Sequence, residues 1–90
     1  MPFEWDTAKA AANFAKHGVS FIEAARIFEG PILEQEDNRR DYGERRIIAY
    51  GKCGRKILAV VYTMRSDNRR IITARRASRD EREDYRRERG

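Results

Sequence analysis

Arginines crowd the chain between residues 65 and 76, where Arg65, Arg69, Arg70, Arg75 and Arg76 bracket two apolar, β-branched runs, Ile57 to Met64 and Ile71 to Ala74. Guanidinium presents a planar, bidentate fork that matches phosphate oxygens. Arg65 and Arg75 stand where the apolar runs end, with the backbone fixed behind them, and are the best phosphate clamps. Strand alternation puts Ile71, Thr73 and Arg75 on one face and Ile72, Ala74 and Arg76 on the other. Neighbours Arg75 and Arg76 therefore face opposite ways, and one of them at most enters a given site. The competing reading for each arginine is a structural ion pair.

Proton transfer has few candidates. His17 is the one imidazole in the chain, the side chain whose ordinary pKa lies nearest working pH. It stands at the end of a predicted helix, where a histidine can equally cap the last carbonyls. Glu44 is a possible general base, beside Arg45, with a surface ion pair as its competing reading. Lys16, Arg45, Lys56 and Arg76 are further phosphate contacts. Tyr62 can stack a base, although a tyrosine in an apolar strand is more often core. Cys53 is the sole cysteine, so an internal disulfide is excluded and nucleophilic catalysis has no paired histidine. With one Cys and one His, the expectation is no metal site and no cofactor.

The elements that must position these groups follow from local signals. Lys56 to Ala77 reads as a β-hairpin, turning at Ser66, Asp67 and Asn68. Before it, Asp6 N-caps a helix running to about Lys16, with Ala8, Ala11, Ala12 and Ala15 as a narrow packing stripe and Gly18 as its stop. Ser20 and Glu23 form a capping box for a second helix, whose apolar face is Phe21, Ala24, Ala25 and Phe28 and which ends at Gly30-Pro31. A short edge strand is expected at residues 32–37, a second strand at Arg45 to Lys52, and a turn at Gly51 to Gly54. Ser78-Arg79-Asp80-Glu81 opens a last helix, 78–89, which has little beyond Ala77 and Tyr85 to bury. The expected fold is α+β, one domain over 1–90, in the order α-α-β-β-β-β-α with a four-stranded antiparallel sheet.

Charge narrows the classes of partner. The net charge is +5, and residues 64–90 carry ten arginines against six acids. That asymmetry favours an anionic partner, nucleic acid before membrane. Residues 29–44 are net acidic and are expected to stay off any nucleic-acid face. No apolar run approaches the length of a membrane-spanning helix, and M-P-F-E-W-D lacks the pattern of a signal peptide, so a cytoplasmic protein is expected.

With these elements placed, the sequence resembles the BrnT family of bacterial type II toxins. The resemblance rests on F-E-W-D with Lys9 and Asn13 following, on K-H-G-V-S-F-x-E-A from Lys16 to Ala24, and on Gly43-Glu44-Arg45. It continues through V-V-Y-T-x-R from Val60 to Arg65 and R-I-I-T-A-R-R-A from Arg70 to Ala77, then Glu81-Arg82 and Tyr85. It implies a fold like that of the RelE-type ribonucleases, and a metal-independent endoribonuclease that arrests translation. It also implies a cognate BrnA-type antitoxin, in a complex of two toxins and two antitoxins, whose DNA-binding part represses the shared operon. Such cleavage needs a base for the 2′-hydroxyl, cations for the phosphorane and an acid for the leaving oxygen. His17, Arg65, Arg75 and Glu44 are the expected catalytic set, with Arg75 favoured by the resemblance. The rivals are a nucleic-acid-binding module that does not cut, and a protein-interaction domain stabilised by its partner.

Overall fold

The computed structural model describes residues 2–89. A two-residue strand β1 (Phe3–Glu4) leads into helices α1 (Thr7–His17) and α2 (Phe21–Arg26), the latter extended by a 3-10 turn at Ile27–Glu29. Strands β2 (Leu33–Glu36), β3 (Ile47–Cys53), β4 (Lys56–Arg65) and β5 (Asn68–Arg76) follow, and α3 (Arg79–Arg89) ends the described chain. The fold is α+β as expected. The sheet, however, has five strands in the order β1-β5-β4-β3-β2, and β1 runs parallel to β5. The expected four-stranded antiparallel sheet missed β1, whose partner residues Arg69 and Arg70 lie more than sixty positions away in sequence.

Local chemistry explains the helices. Asp6 accepts the Lys9 backbone N–H at 3.0 Å, and Gly18 ends α1 with φ +71°. Ser20 and Glu23 close a complete capping box on α2. The alanine stripe of α1 does not pack, for Ala8, Ala11, Ala12 and Ala15 are all exposed. The helix is held instead by buried Asn13, whose Nδ2 donates to the carbonyls of Val19 at 3.0 Å and Ala74 at 2.8 Å. Its Oδ1 accepts the Ala74 N–H at 3.1 Å. One amide side chain thus pairs with the edge of β5 as a neighbouring strand would, satisfying backbone groups that β1 is too short to reach.

The sheet buries both faces. On one, Leu58, Val60, Tyr62, Ile71 and Ala74 pack beneath Val19, Phe21, Ala24 and Ile27. Gly51 lies within β3, not in the turn, and is glycine for close packing, since a Cβ there would come within 2.8 Å of the Ile27 Cβ. The hairpin turn that follows is at Gly54, with φ +62°. On the other face, Ile48, Tyr50, Ile57, Ala59 and Val61 meet Ala77 and Tyr85, and the Tyr85 hydroxyl donates to the Pro31 carbonyl at 2.7 Å. The sparse C-terminal helix therefore docks, burying one large side chain. A β-bulge interrupts the β4–β5 ladder: Val61 faces Thr73 and Tyr62 faces Ile71, leaving Ile72 unpaired. Expected strand parity fails there. Ile71 shares a face with Ala74 and Arg76, opposite to Thr73 and Arg75, because the extra residue inverts alternation across it.

Candidate active site

A cationic cleft lies where α1, the start of β5, the end of β4 and the 37–46 loop converge. Two adjoining cavities form it. The smaller, about 130 Å³, is lined by Asp6, Lys9, Glu44, Arg46, Thr63 and Arg65, with Arg70 beside them. The larger, about 400 Å³, is lined by Lys9, Lys16, His17, Arg40, Arg46 and Thr73. Lys9, Arg46 and Ile72 belong to both walls, so the bulge residue marks their junction. Three of the four expected catalytic residues border this cleft, Glu44 and Arg65 in the smaller cavity and His17 in the larger, where Lys16 from the expected phosphate contacts also lies.

Residues 29–44 are net acidic and were expected to stay off any nucleic-acid face, yet Arg40 and Glu44 from this stretch line the cleft. Asp37 is buried and accepts from Arg39 at 2.7 and 2.8 Å and from the Tyr42 hydroxyl at 3.3 Å. The Arg39 guanidinium beside it holds the Asp37 carboxyl down at about 2. Its backbone N–H donates to the Arg46 carbonyl at 2.8 Å, closing the loop onto β3. Arg46 then lies over the Tyr42 ring at 4.0 Å, with Arg40 at 5.0 Å. The acids thus organise the loop internally, while Arg40 and Arg46 face the cleft. Glu44 bonds Arg46 Nε at 3.1 Å. On the opposite wall Glu4 holds Arg70 at 2.8 Å and Asn68 at 3.1 Å, and these bonds lower the Glu4 carboxyl's pKa. Among the described residues Lys9, Lys16, Arg40 and Arg65 have no salt-bridge partner, so four cations border the cleft without an ion pair of their own.

Arg75 sits elsewhere. It shares a sheet face with Arg65, but pairs across from Ala59, six residues from Arg65 along β4. At about 3.3 Å per residue the two lie roughly 20 Å apart, too far for one phosphate. The reason is elementary: each ends its strand, and the ends of antiparallel strands lie at opposite edges. Arg75 Nη1 and Nη2 bond the two Glu81 carboxylate oxygens at 2.7 and 3.0 Å. Glu81 also accepts from the Tyr50 hydroxyl at 3.2 Å and the Ser78 backbone N–H at 2.7 Å. Arg75 foremost, with these donors, holds the Glu81 carboxyl at about 2.

The remaining expected contacts scatter. Lys56 bonds Glu23 at 2.8 Å, and Arg45 bonds Glu36 at 3.1 Å in solvent. Arg76 is exposed on the face that carries α1 and α2. Tyr62 is core, 3% exposed, with its ring edge-on to Phe28 and its hydroxyl bonded to Glu34. Sequence reasoning missed Lys9, Arg40, Arg46 and Arg70 as members of the cleft. For Lys9 a signal existed: Lys9, Asn13, Lys16 and His17 follow i, i+4, i+7, i+8 spacing, a polar stripe on one helical face.

A small α+β chain whose sheet and first helix border a cluster of unpaired cations, with an imidazole and a carboxylate in the same walls, presents a surface of the charge that suits a polyanion. The family model described as ribonuclease toxin, BrnT, of type II toxin-antitoxin system matches residues 5–81. The chain belongs to that family, and so is a ribonuclease toxin with RNA as substrate and an antitoxin as partner. No individually curated protein matches it. No helix among the described residues is long and apolar enough to cross a membrane.

Proposed function

We propose that the chain is a metal-independent endoribonuclease that arrests translation in the cytoplasm, and that the α1–β5 cleft is where it cuts. The observation that carries this reading is the placement of Glu44 and Arg65 in one cavity and of His17 and Lys16 in the cavity that adjoins it, with the unpaired Lys9 in the wall they share. Glu44 takes the 2′-hydroxyl proton, and the 2′-oxygen attacks the adjacent phosphorus. Lys9 and Arg65, which have no carboxylate bonded to them among the described residues, stabilise the pentavalent transition state, whose charge exceeds that of the ground-state phosphate. His17 protonates the departing 5′-oxygen, leaving a 2′,3′-cyclic phosphate. Arg46, bonded to Glu44 and stacked on Tyr42, orients the base. Arg75 anchors α3 through Glu81 in this scheme and lies outside the reacting centre.

The test is incubation of the purified protein with RNA in excess EDTA, with and without ribosomes, followed by analysis of product ends. Products ending in 2′,3′-cyclic phosphate are expected. Binding without cleavage under both conditions would return the cleft to the non-catalytic reading. The antitoxin-bound state is proposed as two toxins with two antitoxins whose DNA-binding parts occupy the operator. Light scattering of the complex, alone and with operator DNA, checks that stoichiometry.

A further inference from the structure

Helix α1 has a second side. Away from the cleft, Phe14 is 56% exposed, and Ile22 on α2 is 63% exposed. Between them runs a groove of about 310 Å³ lined by Trp5, Ala10, Ala11, Phe14, Phe21 and Ile22. Ile22 also borders a cavity of about 400 Å³ with Phe3, Ala25, Phe28, Arg26 and Arg69, so the apolar surface is continuous across α2. At its far end the Arg69 guanidinium lies over the Phe28 ring at 4.2 Å and the Tyr62 ring at 5.4 Å. Its Nε is buried without a hydrogen-bond partner, and neither Arg69 nor Arg26 has a salt-bridge partner among the described residues. Glu29 is the carboxylate on that wall.

We propose that this surface docks an acidic amphipathic segment of the antitoxin. The occupant is argued from complementarity. Exposed aromatic and aliphatic side chains beside small alanines suit the apolar stripe of a helix, read at i, i+3 or i+4 and i+7. The Arg69 guanidinium, which no carboxylate pairs among the described residues, and the neighbouring Arg26 suit a carboxylate from that helix. A second copy of this chain brings the same net charge of +5 and leaves both arginines uncompensated. RNA is served by the opposite side of α1, where the unpaired cations are. The docking face and the cleft therefore lie back to back on one helix, and antitoxin can be held there without any cleft residue. The proposal rests on the family reading for its partner, and on the groove for its location.

The experiment titrates the purified antitoxin, the polypeptide encoded beside the toxin gene, against full-length toxin variants by calorimetry. Ile22→Glu and Phe14→Glu replace exposed side chains and leave the core intact. Each is expected to weaken binding by about thirtyfold or more, as loss of a central apolar anchor does. Arg26→Glu weakens binding by roughly tenfold, an effect that shrinks with added salt. All three retain the RNA cleavage of the unmodified toxin, whereas Arg65→Ala retains antitoxin affinity. Unchanged affinity in both Ile22→Glu and Phe14→Glu overturns the proposal. So does lost binding in Arg65→Ala with none lost in Ile22→Glu, or a toxin dimer that Ile22→Glu dissociates. Unmodified toxin that binds antitoxin through this face but cuts no RNA would fail the functional reading alone.

Discussion

The two arginines that end the hairpin strands, Arg65 and Arg75, are alike in sequence and opposite in circumstance. Arg65 opens onto a cleft with no carboxylate bonded to it, among Lys9, Glu44, Arg46 and Arg70. Arg75 is gripped by both oxygens of Glu81, and Glu81 is gripped in turn by Tyr50 and Ser78. An arginine whose fork is already filled must break two charge-assisted bonds before it can hold a phosphate. An unfilled one is ready. What distinguishes a chemical arginine from a structural one is therefore its partner, and partners are set by which strand end faces which helix.

The largest effect expected at the Arg65 end is on rate. His17→Ala combined with Glu44→Gln should slow single-turnover RNA cleavage by about a thousandfold or more, since each proton-transfer group contributes roughly 10²–10⁴. Both residues are exposed, so the melting temperature should stay within a degree or two by calorimetry. At the Arg75 end the expected effect is on stability. Arg75→Ala leaves Glu81 half-buried without its main partner and should cost about 1–2 kcal/mol, discounted for the arginine's partial exposure, or about 5–10 °C in a domain of this size.

Acid sharpens the same contrast. Glu81 has its pKa lowered from 4.5 to about 2 in the folded chain. A depressed folded pKa means stabilisation present above the ordinary value and lost as pH falls toward the folded one. The gap in melting temperature between unmodified protein and Arg75→Ala should hold above pH 4.5 and close progressively between pH 4.5 and 2. A gap that persists at the acid end would assign the loss to packing instead of charge. The smallest effect belongs to the solvated pairs of α3. Arg79 bonds Glu83 at 3.3 Å with its side chain 83% exposed, and Arg79→Ala should shift stability by less than about 0.5 kcal/mol.

Local features of this fold are readable from the chain. Capping residues Asp6, Ser20 and Glu23, the Gly18 stop and the β4–β5 hairpin all rest on neighbours within a few positions, and they stand where the spacing puts them. Features decided at long range are not readable. Strand β1 is two residues long and exists because Arg69 and Arg70 lie alongside it. The Ile72 bulge carries no Gly or Pro to announce it, yet it inverts the parity from which side-chain directions were inferred. Lys9 was legible as part of a polar helical stripe. Arg40 and Arg46 were not, because Asp37 and Tyr42 fold the loop that delivers them. A net-charge count over that loop hid which acids were spent inside it.

The most direct test compares Arg65→Ala with Arg75→Ala in single-turnover cleavage, at a temperature well below both melting transitions. If Arg65 is the proposed transition-state cation, Arg65→Ala should slow cleavage by roughly a hundredfold or more, while folded Arg75→Ala should cut within about threefold of the unmodified protein, since Arg75 is engaged with Glu81. Normal cleavage by Arg65→Ala with a collapse in folded Arg75→Ala would contradict the account and move the reacting phosphate to the other end of the sheet.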